Sequence, residues 1–76
     1  MLIFSQDRKS LAKTRLLQVQ RNIGGGKEGK FMILACAEGL GGQVIAGTYP
    51  DEKTATDALE KAYQAFADGA KTYKFD

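Results

Sequence analysis

The sequence contains no histidine, no tryptophan and a single cysteine, Cys36. The lack of histidine removes the commonest general base and the commonest metal ligand. One cysteine without histidine leaves no zinc constellation, no Cys–His nucleophile pair and no intrachain disulfide. Asp and Glu remain as acids and bases, but no close pair of them lies in an evident apolar pocket. We therefore expect a protein that is not an enzyme and that uses no cofactor and no metal.

Long apolar runs are missing as well. The longest uninterrupted run extends from Phe31 to Ala37, far below the roughly 20 residues that a membrane-spanning helix needs. The opening "MLIF" is too short for the apolar core of a signal peptide, and charged residues follow it at once. A lone cysteine within an apolar run fits a reducing compartment. We expect a soluble, cytoplasmic protein without a membrane partner.

The 76 residues allow one small domain, residues 1–76, and the apolar share of 43% with 26% charged residues is typical of a globular chain. The net charge is +2, but it is unevenly distributed. Residues 1–30 carry seven basic and two acidic side chains, whereas residues 31–76 carry four basic and seven acidic ones. A basic front and an acidic back predict a dipolar molecule that attracts anions on one face or associates head to tail.

Five segments show a strand pattern and one shows a helical pattern. Strands are predicted at residues 2–5, 16–23, 30–37 and 43–49, with a final edge strand at 71–75. If the second strand extends backwards, its alternation places Lys13 and Arg15 on the side of Leu17 and Arg21. The predicted fold is α+β, an antiparallel sheet of four to five strands in the order β-β-β-β-α-β, with one helix packed on one face.

The predicted helix opens at Pro50-Asp51-Glu52, where Asp51 can cap free amide groups. Gly69 lies where a left-handed residue is expected to end it. An apolar stripe with helical period is expected to pack on the sheet. It consists of Ala55, Ala58, Leu59, Ala62, Tyr63 and Phe66.

The strands at 30–37 and 43–49 are apolar on both faces. One helix covers only one face of a small sheet, so the other face would expose Met32, Leu34 and Cys36. Exposed apolar patches usually mark interfaces. We expect a homodimer or higher oligomer that packs sheet to sheet or through an edge strand. The alternative is a sheet that curls into a half-barrel and buries both faces itself.

The stretch "IGGGKEGKF" satisfies G-x-x-x-x-G-K through Gly24, Gly29 and Lys30, the first positions of a phosphate-binding P-loop. A P-loop needs Ser or Thr after the lysine to hold magnesium, and a helix to receive the phosphates. Here Phe31 follows the lysine, and the next segment has a strand pattern. The sequence therefore argues against a P-loop.

Two interpretations of this loop stay open. It is either a flexible hairpin connection or a non-hydrolytic anion-binding loop, since successive amide groups in glycine-rich turns can form anion nests. In the second case the phosphates of a nucleotide would meet basic side chains and loop amides, with Lys13 and Arg15 sharing the face of Arg21. The predicted ligand-binding residues are Arg21, Gly24, Gly25, Gly26, Lys27 and Lys30.

Several short motifs occur at both ends of the chain: Ser5-Gln6-Asp7 near the start, Gly47-Thr48-Tyr49 before the helix, and Gly69 with Tyr73 near the end. With the Ala-rich helix between them, the chain resembles a group of small uncharacterised bacterial and phage or prophage proteins. The ending Lys74-Phe75 departs from the Met-Pro ending of that group. The resemblance implies a phage context, in which small proteins commonly inhibit host defences; the compartment would then be the host cytoplasm.

The leading hypothesis is a non-enzymatic, homo-oligomeric binding protein of phage type that sequesters a nucleotide or another phosphate-bearing ligand, as an anti-defence protein would. One alternative is an inhibitor that binds a host protein through an exposed sheet face or an edge strand. Another is a nucleic-acid-binding module. Steep loss of binding with salt would distinguish nucleic acid from an apolar protein contact.

Overall fold

A computed structural model describes residues 1–24, 26, 29–37 and 42–76. Its elements follow the predicted order β-β-β-β-α-β. They are β1 (Leu2–Phe4), β2 (Leu11–Arg21), β3 (Phe31–Ala37), β4 (Gln43–Tyr49), α1 (Glu52–Ala67) and β5 (Thr72–Lys74). The expected hairpin loop before β4 lies partly outside the described residues, because Glu38 to Gly41 are not among them.

The five strands form one sheet in the order β4-β3-β2-β1-β5. The contacts β1–β2, β2–β3 and β3–β4 are antiparallel, whereas β5 pairs with β1 in parallel. The predicted α+β class and element order are thus confirmed, with one correction: the sheet is mixed rather than wholly antiparallel. The crossover helix α1 explains this, because it returns the chain to the edge beside β1 in the direction of β1.

Strand β2 is longer than predicted and is irregular. It starts at Leu11, pairs first with β1 and then with β3, and changes register between Thr14 and Leu16. A β-bulge inserts one residue and shifts the alternation of side chains by one. The expectation that Lys13 shares a face with Leu17 is therefore wrong. Lys13 pairs opposite Leu2, on the face away from the helix.

The core lies between α1 and one face of the sheet. The helix contributes Ala55 and Ala62, both fully buried, and small side chains let the helix lie close to the strands. Asp51 caps the helix as predicted, since its carboxylate accepts a hydrogen bond from the backbone N–H of Thr54. The sheet side of the core consists of Ile3, Ile33, Ala35, Ala46, Tyr49 and Phe75.

One member of the predicted helical stripe does not pack. Tyr63 is 70% exposed, although Leu59 and Phe66 on either side of it are packed against the core. The helical period places Tyr63 at the border of the stripe, and the sheet does not reach that far. The expectation that Tyr63 belongs to the core is wrong.

Gln6 covers the outer edge of β4. Its backbone N–H donates to the carbonyl of Ala46 at 2.6 Å. Its side-chain oxygen accepts from the N–H of Thr48 at 2.9 Å, and its side-chain nitrogen donates to the carbonyl oxygens of Thr48 at 3.4 Å and Asp76 at 2.8 Å. Unpaired edge groups invite pairing with other chains, and Gln6 occupies several of these on β4.

The face of the sheet opposite α1, called the open face below, is only partly exposed. Leu34, expected in water there, is buried at 6%, and Met32 and Cys36 are half-buried. A second register shift, between Ile33 and Leu34 against β4, adds to the bend of the sheet. The prediction of a wholly exposed apolar face is therefore wrong in part. The apolar side chains exposed on this face are Leu11, Leu16 and Ile45.

All five strands lack acidic residues. Their charged side chains are Lys13, Arg15, Arg21 and Lys74. The helix, in contrast, carries Glu52, Asp57 and Glu60 beside two lysines. The basic-to-acidic division along the chain therefore becomes a division between the two layers of the fold. Within the described residues, no helix has the length and hydropathy needed to cross a membrane.

Candidate anion-binding site

The end of the β2–β3 hairpin brings two of the predicted basic residues to one place. Arg21 is the last residue of β2 and pairs with Phe31, the first residue of β3. Lys30 immediately precedes Phe31, so the pairing fixes its backbone beside that of Arg21. The predicted partnership of Arg21 and Lys30 is thus compatible with the hairpin register.

Asn22 holds the base of the loop. Its backbone N–H donates to the carbonyl oxygen of Lys30 at 2.7 Å, and its side-chain nitrogen donates to the carbonyl oxygen of Gly29 at 2.8 Å. Gly24 and Gly26 have φ values of 88° and 50°, which other residues rarely adopt. Gly25 and Lys27, also predicted to bind ligand, lie outside the described residues.

Beside this hairpin end is a cavity of about 330 Å³, called the loop cleft below. Among the described residues, its wall contains two cationic side chains, one amide, one aromatic ring and one aliphatic side chain, and no carboxylate. The residues that line it are Arg21, Asn22, Ile23, Lys30 and Phe31. Such a wall suits an anion that also carries a flat or apolar part.

Arg21 is oriented by the ring of Phe31. Its guanidinium carbon lies 5.9 Å from the ring centroid, within the range of a cation–π contact. The contact restrains a long side chain that is otherwise exposed. Restraint before binding reduces the entropy that a ligand must remove. The ring would thereby favour the binding of an anion by Arg21.

A second hollow, of about 270 Å³, lies on the other side of Arg21 and includes Glu52. The beginning of α1 is therefore at the same end of the molecule as the loop cleft. Its amide groups are already partly used, because the Asp51 carboxylate accepts from the backbone N–H of Thr54 at 2.7 Å. This bond lowers the pKa of Asp51. With Phe31 beginning a strand and this helix start capped, the structure agrees with the argument against a P-loop.

Lys13 and Arg15, which were expected to share the face of Arg21, do not line the loop cleft. Arg15 borders a different cavity, together with Leu16 and Tyr63. Distance along β2 is the physical reason, since Arg15 and Lys13 precede Arg21 by six and eight residues, about 20 Å or more along an extended strand.

Sequence reasoning missed Asn22 and Phe31 as members of the site. The signal for Phe31 was its place directly after Lys30, which puts it opposite Arg21 once the hairpin register is known. Asn22 precedes a glycine run, a position where Asn commonly bonds to nearby backbone. The contribution of either residue to the site becomes visible only once β2 and β3 are paired.

A polar cavity of about 300 Å³ lies between α1 and β5. The Tyr49 hydroxyl donates to the carbonyl oxygen of Asp76 there at 3.4 Å, and burial raises the pKa of Tyr49. Asp57 and Asp76 line this cavity, and carboxylates repel an anion. The loop cleft is therefore the better anion site. Within the described residues no cluster of three metal-ligating side chains occurs.

Comparisons with known proteins give no relative on which to draw. No family model matches the chain, no curated protein matches it, and no solved structure matches it.

Proposed function

We propose that this protein is a non-enzymatic binding protein that holds a phosphate-bearing small molecule, a nucleotide in the simplest case, in the loop cleft. The observation that carries the proposal is that Arg21 and Lys30 line one cleft beside an aromatic ring, with no carboxylate among the described residues of its wall. Arg21 and Lys30 would pair with phosphate oxygens. Phe31 and Ile23 would contact the base or the sugar.

The fold does not occupy these cations. In the described part of the chain, Arg21 contacts the Phe31 ring but has no carboxylate within ion-pair distance. Ile23 is 91% exposed, although an isoleucine gains free energy by leaving water. Since Arg21 and Lys30 form no ion pair with any described residue and Ile23 is exposed, these side chains are available to a ligand.

The expected affinity is modest. A hydrogen bond to a charged group contributes about 1.5–3 kcal/mol, and stacking of a base on an aromatic ring about 1–3 kcal/mol. Two phosphate contacts and one stack sum to about 4–9 kcal/mol before the cost of association is subtracted, which predicts a dissociation constant nearer the millimolar than the micromolar end of the range. In the phage setting that the resemblance implies, such a protein would act stoichiometrically, by lowering the free concentration of a nucleotide messenger.

Isothermal titration calorimetry with ATP, a cyclic dinucleotide and inorganic phosphate as probes tests this function. At least one nucleotide should bind, and Arg21→Ala and Lys30→Ala should each weaken binding by about tenfold or more, as the loss of one charged hydrogen bond predicts. Lys74→Ala is the matched control, because it removes an exposed cation on β5, away from the loop cleft.

Two results would overturn the proposal. One is the absence of heat with every nucleotide up to millimolar concentration. The other is equal affinity for Arg21→Ala, Lys30→Ala and the Lys74→Ala control. An oligonucleotide in the same series separates the sources of phosphate. Binding of the oligonucleotide alone, with a steep salt dependence, would replace the small-molecule function with nucleic-acid binding.

A further inference from the structure

The cavity that Arg15 borders, of about 310 Å³, lies between β2 and α1, at the other end of the fold from the loop cleft. It is called the β2–α1 groove below. Its wall is almost wholly apolar. The residues that line it are Met1, Arg15, Leu16, Leu17, Leu59, Tyr63 and Phe66. The groove contains none of the residues of the loop cleft, so an argument about it is independent of the proposed ligand.

The groove leaves large apolar side chains in water. Tyr63 is 70% exposed, Leu16 46% and Met1 40%. These are three of the six exposed large apolar side chains in the described residues, and all three line the groove, although Leu16 is also exposed on the open face. A contiguous apolar surface of this kind on a small protein usually marks an interface.

The other surfaces are poorly suited to a second copy. Gln6 occupies the outer edge of β4, and β5 is only three residues long and carries Lys74. Short edges with lysine discourage strand pairing between chains. The open face has Lys13 and Lys74 and no acidic residue in its strands. Two open faces placed together would therefore bring like charges together.

The β2–α1 groove, in contrast, has both signs of charge at its border. Arg15 lines it from the strand side. Glu60 lies on the helix side, one turn before Tyr63, and residues three apart on a helix are neighbours on its surface. Glu60 is exposed, and Arg15 forms no ion pair with any described residue. A two-fold axis near Tyr63 would place each Arg15 opposite Glu60 of the second copy.

We propose that the β2–α1 groove is the interface of a two-fold symmetric homodimer, in which Tyr63 of each copy enters the groove of the other and Arg15 pairs with Glu60 across it. In a two-fold interface every contact occurs twice, so two tyrosines and two ion pairs bind the copies. The interface explains why a residue with helical core spacing is left in water.

The size of the groove sets the expected strength. A stable interface buries about 800 Å² on each partner, which is about one-sixth of the surface of 5127 Å². The groove alone is only a small part of such an area, so the surface around it must contribute as well. We therefore expect a weak dimer, which forms at micromolar to high-micromolar concentration.

Sedimentation velocity over a concentration series from about 5 to about 500 µM tests the dimer, under reducing conditions because Cys36 is a free thiol. The wild-type chain should shift from monomer to dimer across the series. Tyr63→Ser should remain a monomer. Because Tyr63 is exposed, this change should leave the circular dichroism spectrum and the unfolding midpoint nearly unchanged.

Charge exchange identifies the pairing. Arg15→Glu and Glu60→Arg should each weaken the dimer by about tenfold, because each places like charges opposite each other. The double variant restores opposite charges and should return to within about threefold of wild type. Lys61→Glu is the matched control: Lys61 borders the cavity beside β5 instead, and reversing its charge should leave the dimer intact.

A wild-type chain that stays monomeric throughout the series overturns the proposal. So does a double variant that is no better than either single reversal, or a Tyr63→Ser variant that still forms dimers. These results say nothing about nucleotide binding at the loop cleft, and loss of nucleotide binding leaves the dimer measurement unaffected.

Discussion

The two hairpin connections that flank β2 are built in opposite ways. The β1–β2 turn, residues 5–10, is a network of short hydrogen bonds around a buried serine, Ser5, which is 1% exposed. The β2–β3 loop, residues 22–30, contains four glycines, and the described part of it is bonded to itself mainly through Asn22. The polar groups of the first connection serve the fold, whereas Lys30 of the second forms no ion pair with any described residue.

The β1–β2 turn is bonded in two directions. Within the turn, the Ser5 hydroxyl donates to the Asp7 carboxylate at 2.6 Å and accepts from the N–H of Ser10 at 3.1 Å. Outward from the turn, Gln6 bonds to β4 and to the carbonyl of Asp76. One short turn thus joins residues from the beginning, the middle and the end of the chain.

The largest effect is expected for Gln6→Ala. It removes the side-chain bonds to Thr48 and Asp76 and leaves the N–H of Thr48 without its partner on a half-buried edge. We expect a loss of about 2–3 kcal/mol in the free energy of unfolding, measured by urea titration. Gln64→Ala, on the exposed side of α1, is the control for losing a glutamine and should change stability little. Equal midpoints for the two variants would mean that Gln6 does not hold the edge of β4.

A smaller and pH-dependent effect is expected for Asp7→Asn. The Ser5 hydroxyl and the Lys9 N–H donate to the Asp7 carboxylate, and they lower its pKa below the ordinary value of 3.8. The folded state therefore favours the charged carboxylate. The stabilisation is fully present above the unfolded-state pKa and is lost as the pH falls through the lower, folded-state pKa.

Urea titrations of wild type and Asp7→Asn at a series of pH values measure this stabilisation as the difference between their unfolding midpoints. The wild-type advantage should be constant from neutral pH down to about pH 5 and should shrink as the pH falls below the ordinary pKa of 3.8. Asp51→Asn provides a parallel case, because bonds from Thr54 lower the pKa of that carboxylate as well. A difference between wild type and Asp7→Asn that does not depend on pH would show that the charge of Asp7 is unimportant.

The sequence predicted the elements of this fold well because its local signals are strong. Alternation located β3 and β4, and helical spacing with an Asp51 cap located α1. The predictions fail where a single extra residue changes the alternation of side chains along a strand. The bulge in β2 moved Lys13 to the face away from Leu17, and no feature of the local sequence marks a bulge there, since its cause is the change of pairing partner from β1 to β3.

The motifs that carry the resemblance to small phage proteins have structural explanations. A Cβ at Gly47 would lie 2.6 Å from the Tyr49 hydroxyl oxygen, so the glycine leaves room for the buried tyrosine. Gly69 has φ of 97° directly after the helix, and the Tyr73 ring contacts Phe66 and Phe75. These motifs maintain the fold, and none of them lines the loop cleft.

The candidate site was predicted in part for the same reason. Arg21 and Lys30 could be named because basic residues beside glycines are a recognisable pattern. The place of Phe31 depended on strand register, which single-sequence patterns do not specify. Lys13 and Arg15 are instead excluded by their distance from Arg21 along an extended strand. Which side chains meet across paired strands is a property of the tertiary structure. It decides which of the basic side chains of residues 1–30 can act together.

The smallest effect is expected for Asn22→Ala, at the base of the β2–β3 loop. Its side chain makes one hydrogen bond, to Gly29, and the backbone bond from its N–H to Lys30 remains. We expect a loss of about 0.5–1 kcal/mol in the free energy of unfolding, below that of Gln6→Ala.

Amide exchange in the wild-type chain distinguishes the two connections further. The N–H of Asn22 should exchange faster than that of Thr48, since the glycine loop opens locally at less cost. If instead Asn22 were as protected as Thr48, the β2–β3 loop would be as firmly held as the β1–β2 turn, and its charged groups would have to be counted as part of the fold.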